Sequence, residues 1–199
     1  IYYEGRLVPL HLADKFIDSK FDAVLGEVIS DDNARMRKEW AVLEEVVGAP
    51  SRIEKIAEDI VHHFNNRPIE GKAMIVTMSR RIAILMYEAI QKINGASECA
   101  VVISNSDEYA SVIQQERDVK KLEKRFKKVN DSLKIAIVCD MWLTGFDIPC
   151  LHTMYLYKPL KNHGLMQAIA RVNRVFKDKP GGLIVDYIGI AENLKKALA

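Results

Sequence analysis

The stretch Leu133–Pro149 reads LKIAIVCDMWLTGFDIP, and its reading decides the fold. Leu133–Cys139 is a short apolar run rich in β-branched side chains, which suits a strand buried on both faces. The remainder crowds turn-formers and hydrogen-bonding groups into one connection. Gly145 lets the backbone turn tightly against a ligand. Thr144 offers a hydroxyl and a backbone amide to a phosphate, Asp147 can accept from a ribose hydroxyl, and Pro149 stiffens the exit into the next strand. An ordinary strand-to-strand connection uses Gly and Pro in the same places as punctuation.

Outward from this stretch the pattern is regular. Ala73–Thr77, Cys99–Ser104, His152–Tyr157 and Gly182–Asp186 are further short apolar strands. Helical patterns separate them over Arg52–Phe64, Arg80–Ile93, 107–130, His163–Phe176 and Ala191–Leu198. Ser51 and Glu54 have the spacing of a capping box for the first of these. Short apolar strands alternating with helices predict an α/β fold whose mainly parallel sheet is covered on both faces. Ligands of such sheets bind beyond the carboxyl ends of the strands, so functional residues are expected in the loops just after each strand. Ahead of this lie an extended segment, residues 1–10, and a charged helix capped by Asp31 or Asp32 that runs through Val47. Gly48-Ala49-Pro50 breaks the chain there. The sequence thus divides into a strand-plus-helix lead-in, 1–48, and a main domain, 49–199.

Hydrophobic residues make up 49% and charged residues 28% of the 199 positions, enough apolar content to build a core without disulfides or metals. The net charge of +2 excludes a globally basic field, so any nucleic-acid contact must come from a local patch. Cys99, Cys139 and Cys150 form no C-x-x-C, and the histidines offer no zinc spacing. Cys99 and Cys139 are expected as buried free thiols in a reducing cytoplasm. No apolar run approaches the ~18 residues of a membrane span, and no signal peptide is visible. The chain begins at Ile1 without an initiator Met and already reads as strand there, as an excerpt of a longer protein would.

At about 100° per residue, the helix from His163 places Leu165, Ile169, Val172 and Phe176 on one face and Gln167, Arg171 and Arg174 on the opposite one. Arginines three apart can converge on one anion, and a planar guanidinium grips phosphate oxygens without deprotonating. Arginines on a polar helix face are also commonly just solvated. Thr77-Met78-Ser79-Arg80 ends one strand and opens a helix, whose free N–H groups could meet an anion with help from Ser79 and Arg80. A plain serine cap is the simpler reading. Ser104–Asp107 is a similar polar cap. The basic run Lys120–Lys128 reads better as a solvated helix face than as a DNA patch.

Together these segments resemble a known family. Thr144–Pro149 looks like helicase motif V, Gln167–Arg174 like motif VI with its Gln-x-x-x-Arg-x-x-Arg spacing, and Met74–Arg80 like motif IV. Their order is that of the second RecA-like domain of superfamily 2 helicases and translocases. Met141–Pro149, His152–Tyr155, Lys158-Pro159, His163–Phe176 and Gly181–Gly189 are closely similar to the motor subunit of type I restriction-modification enzymes. Ala170 stands where DEAD-box proteins commonly have glycine, and the arginine spacing is undisturbed.

The resemblance implies a RecA-like three-layer α/β/α sandwich, the helicase C-terminal domain of the P-loop NTPase class. It implies an ATP site in a cleft between two such domains, with Arg171 and Arg174 reaching the phosphates and Gln167 positioning them. Gly145 and Asp147 would contact the nucleotide. Thr77, Ser79, Arg80 and Thr144 would hold the phosphates of one strand of double-stranded DNA. The implied partners are the first RecA-like domain and the nuclease domain of the same chain, and the methyltransferase and specificity subunits, in a bacterial or archaeal cytoplasm and away from membranes. No G-x-x-x-x-G-K-[ST] occurs, nor an Asp-Glu pair of the type that holds Mg²⁺ in the first RecA-like domain. ATP and Mg²⁺ are therefore expected to bind mainly on the other RecA-like domain, and the type I site-specific deoxyribonuclease and ATPase activities to be absent from these residues alone. Two alternatives are the equivalent domain of another superfamily 2 enzyme and a non-catalytic α/β interaction module.

Overall fold

A computed structural model describes residues 1–6, 33–104, 118–143, 145, 147–160, 162–174, 176 and 181–189, without the side chains of 33–39, 162 and 163. The strands are β1 (Tyr2–Gly5), β2 (Lys72–Thr77), β3 (Cys99–Val102), β4 (Ile135–Val138), β5 (Leu151–Tyr157) and β6 (Leu183–Asp186). The helices are α1 (Asn33–Val47), α2 (Pro50–Asn65), α3 (Arg80–Gln91), α4 (Val119–Lys127) and α5 (Asn162–Val172).

The strands form one six-stranded sheet in the order β1-β6-β5-β2-β4-β3. Every pairing is parallel. β2 to β5 are buried along their whole length, which is why they read as unbroken apolar runs rather than alternating ones. Right-handed crossovers fix the layers. Connections leading from β1 to β2 and from β2 to β3 carry α2 and α3 on one face, where these two helices pack together. Connections that step back from β3 to β4, β5 and β6 use the other face, which holds α4, the β4–β5 segment and α5. The result is the expected α/β/α sandwich.

Several local readings are corrected. Ser51 does not cap α2: the N-cap is Ala49, with Pro50 at the first helical position and no side-chain cap bond. Proline at N1 has no N–H to leave unsatisfied, so the helix starts two residues earlier than expected, at Pro50. β1, assigned from sequence to the lead-in, is the edge strand of the same sheet and pairs with β6. Leu43 and Val47 of α1 are also buried in the core. Of the 107–130 helix, 119–127 is observed, and its earlier part lies outside the described residues, as do the caps Asp31 and Asp32, Asn105–Asp107 and the closing helix. Cys99 and Cys150 are buried thiols, but Cys139 is half-buried because β4 ends one residue before it.

Candidate functional site

α5 buries Leu165, Ala168, Ile169 and Val172 and packs on β5 and β6. That leaves Gln167 and Arg171, four residues apart and half-buried, on its outer flank. Arg171 Nε donates to the Leu143 carbonyl at 3.1 Å. Arg174 Nη1 meets Asp147 Oδ2 at 2.9 Å. Both guanidiniums thus grip one short piece of chain, residues 143–147, at whose centre stands Gly145 with φ +67°. A side chain at Gly145 would find nothing within 4 Å. The expected helix over His163–Phe176 stops at Val172, so Arg174 is not helical and does not share a helical face with Arg171. The stop has a steric cause. The chain returns across the helix end at Gly182, where a Cβ would overlap the Val172 carbonyl.

That return also locates the site. α5 starts above the carboxyl end of β5 and runs antiparallel to it, so its last turn lies beside Gly182, which precedes β6. Arg171 and Arg174 therefore flank the amino ends of the strands, contrary to the expected carboxyl-end position, because they stand at the end of a descending helix rather than its start. Asp147 lies on the β4–β5 segment, which descends in the same way. Thr144 lies outside the described residues.

The carboxyl edge carries a second group. Thr77 is fully buried, with its hydroxyl 3.0 Å from the Val138 carbonyl and 3.2 Å from that of Ser79. The phosphate contact expected of it is corrected: the hydroxyl is spent inside the sheet. Ser79 caps α3, its Oγ accepting from Ile82 N–H at 3.3 Å. Arg80 is exposed. Arg81 turns back to α1 and donates to the Glu44 carbonyl at 3.3 Å. Asp140 is bonded to Lys158 Nζ at 2.6 Å. Burial opposes its ionisation, but the Lys158 ammonium outweighs that and holds the carboxyl below its ordinary range. Burial pushes the Cys139 thiol up to about 11, so it stays protonated at neutral pH.

Against this geometry, the chain can be compared with known proteins. The family model described as type I restriction enzyme subunit R domain 3 matches residues 104–189, a span that encloses Gly145, Asp147, Gln167, Arg171 and Arg174. A protein named for the MjaIXP type I restriction endonuclease subunit, from Methanocaldococcus jannaschii, is 49% identical over 208 residues, covering 100% of this chain and 20% of that protein. The HindI type I restriction endonuclease subunit of Haemophilus influenzae is 42% identical over 215 residues, covering 99% and 20%. This chain belongs to the type I restriction enzyme R-subunit family. It spans about a fifth of the length of those two relatives. A fragment described as the HsdR subunit of a type I restriction enzyme from Vibrio vulnificus YJ016 superposes with a TM-score of 0.62 at 16% identity, over 100% of this chain and 33% of that one. The C-terminal part of the Fun30 ATPase domain gives 0.57 at 11%, over 100% and 89%. These likenesses show the fold alone, a parallel-sheet α/β/α sandwich of the RecA-like kind.

Three features of this R-subunit segment escaped the sequence reading. The first is a polar network between α2 and the β1-β6-β5 side of the sheet. Asp59 accepts from Arg6 Nη1 at 2.7 Å and from the Tyr187 hydroxyl at 2.5 Å. Arg52 donates to Tyr157 at 3.0 Å, and Tyr157 donates to the Val47 carbonyl at 2.5 Å. Burial pushes the Tyr157 hydroxyl up to about 12. The second is a cavity of about 780 Å³ at the amino edge, lined in part by Arg67 and Lys72. Arg67 donates to the Phe64 carbonyl at 3.1 Å and Lys72 to that of Arg125 at 3.0 Å. Those carbonyls end α2 and α4, and helix C-termini carry partial negative charge. The two cations answer that charge. The third is Trp142, at φ +67°. No pattern in a single sequence marks a left-handed tryptophan.

Among the described residues no helix is long and apolar enough to cross a membrane.

Proposed function

We propose that this chain supplies the arginine-bearing wall of an ATP cleft in a DNA-translocating type I restriction motor. The observation that carries the reading is the convergence of Arg171 and Arg174 on residues 143–147. Two guanidiniums at one short loop give a fork of donors that never deprotonates and matches phosphate oxygens. The side chains of Arg174 and Asp147 are 46% and 53% exposed, so a competing anion can take the arginine at little cost. Gly145 leaves open space beside that pair. Asp147, once released, can accept from a ribose hydroxyl, and Gln167 flanks Arg171 to orient it.

ATP bound in the cleft would supply the phosphoryl group, with Mg²⁺ held mainly by a first RecA-like domain. Arg171 and Arg174 would neutralise charge that develops on the transferring group, an effect worth roughly 10³–10⁵ in rate in related hydrolases. Ser79, Arg80 and Thr144 would hold the backbone of duplex DNA, which reads no sequence. Cleft closure would then step the domain along the duplex. A nuclease domain in the same chain, and methyltransferase and specificity subunits in a cytoplasmic complex, complete the proposed enzyme. Hydrolysis and cleavage are assigned to that whole enzyme and not to these residues alone.

The test is Arg171→Ala in the full-length subunit. ATP should still bind while DNA-stimulated hydrolysis falls by about 10³ or more. Unchanged hydrolysis would overturn the assignment.

A further inference from the structure

The segment between β4 and β5 turns at Trp142, whose φ is +67°. That left-handed region disfavours a bulky L side chain, and such residues persist only where their surroundings over-determine them. The indole is 6% exposed and stacks on Phe126 of α4, with ring centroids 5.6 Å apart and planes inclined by 23°. Phe126 is itself fully buried, with the Lys72 ammonium 5.2 Å from its centroid. The next residue is Leu143, whose carbonyl accepts the Nε–H of Arg171. Gly145, three residues on, supplies a left-handed turn at no steric cost. A tryptophan in the same conformation has to be held there, and the Phe126 stack holds it.

We infer that Trp142 is a positioning residue for Arg171. Its stack on Phe126 fixes the turn that presents the Leu143 carbonyl, and the carbonyl sets the direction of the guanidinium. Trp142 itself touches no nucleotide. The inference rests on the proposed function, since it needs Arg171 to act on ATP.

The experiment measures steady-state ATP hydrolysis by the full-length subunit in its assembled complex with DNA. Trp142→Gly keeps the left-handed turn without strain and deletes the stack, Trp142→Phe keeps a ring, and Arg171→Lys keeps the cation without the Nε–H donor. With Arg171 present, Trp142→Gly should lower kcat about tenfold with little change in KM for ATP, the cost of a misaimed group. Trp142→Phe should stay within about twofold of the parent, and in the Arg171→Lys background Trp142→Gly should cost less than about twofold more. A merely structural role multiplies instead, so an equal fold-loss in both backgrounds overturns the inference. So does full activity of Trp142→Gly where Arg171→Ala abolishes hydrolysis. If the glycine variant does not fold, Trp142→Phe against Trp142→Leu decides, since only the ring variant should keep its rate. If Arg171→Ala leaves hydrolysis unchanged, it is the nucleotide role of Arg171 that has failed.

Discussion

On the α2 side of the sheet, Arg52 is 6% exposed and gives its donors to the Tyr157 hydroxyl at 3.0 Å and the Tyr187 carbonyl at 3.3 Å. On the α5 side, the half-exposed Arg174 meets the half-exposed carboxylate of Asp147. The two regions use the same chemical groups under opposite conditions. Buried donors and acceptors left unmatched are expensive, so an enclosed network is fixed and holds helix to sheet. Exposed pairs are screened and weak, so they can be exchanged for a ligand. The lesson is that an arginine's role here follows from what encloses it, not from its being an arginine.

The sharpest way to break that comparison is to truncate one arginine from each side. Arg171→Ala should collapse hydrolysis, as stated above, while moving the unfolding free energy by no more than about 1 kcal/mol. Arg52→Ala should do the reverse in kind. It should cost about 3 kcal/mol in chemical denaturation, because it removes buried packing and strips partners from two buried oxygens. Equal destabilisation by the two variants would erase the distinction.

A smaller effect sharpens the picture of the enclosed side. His63 bonds to the Tyr155 hydroxyl at 2.8 Å and lies 3.4 Å from Glu4. Burial lowers its pKa first, and Arg6 and Arg67 lower it further, against the opposing charges of Glu4 and Asp59. The folded state therefore prefers neutral imidazole, and the unfolded chain takes up the proton first. Stability should fall as pH drops through the ordinary histidine value of about 6.5 and level off below the folded pKa. Denaturant midpoints across that range, compared with His63→Gln, isolate this component, which should vanish in the variant. The smallest effect belongs to the open side: Asp147→Asn should change unfolding free energy by under about 0.5 kcal/mol. A loss like that of Arg52→Ala would show the Arg174–Asp147 pair to be structural.

The arginine pair was legible in the sequence, and the structure brings both to the loop that carries Asp147. Thr77 was misread because its position at a strand end does not reveal that Val138, on the neighbouring strand, takes its hydroxyl. Arg174 was placed on a helix because apolar spacing continues to Phe176. What ends α5 is the chain returning at Gly182, ten residues beyond Val172.

Local order was determined by the sequence itself: which runs are strands, which are helices, and that the sheet is parallel and covered. Side-chain periodicity and β-branching act over a few residues, and those forces are written in neighbouring letters. Tertiary structure alone decided that β1 joins β6, that Arg171 at the end of α5 and Arg174 just beyond it reach the amino ends of the strands, that Asp59 is matched by Arg6 and Tyr187, and that Trp142 stands left-handed against Phe126. Each of these depends on residues far apart in the chain meeting under close packing, and only the assembled fold specifies such meetings.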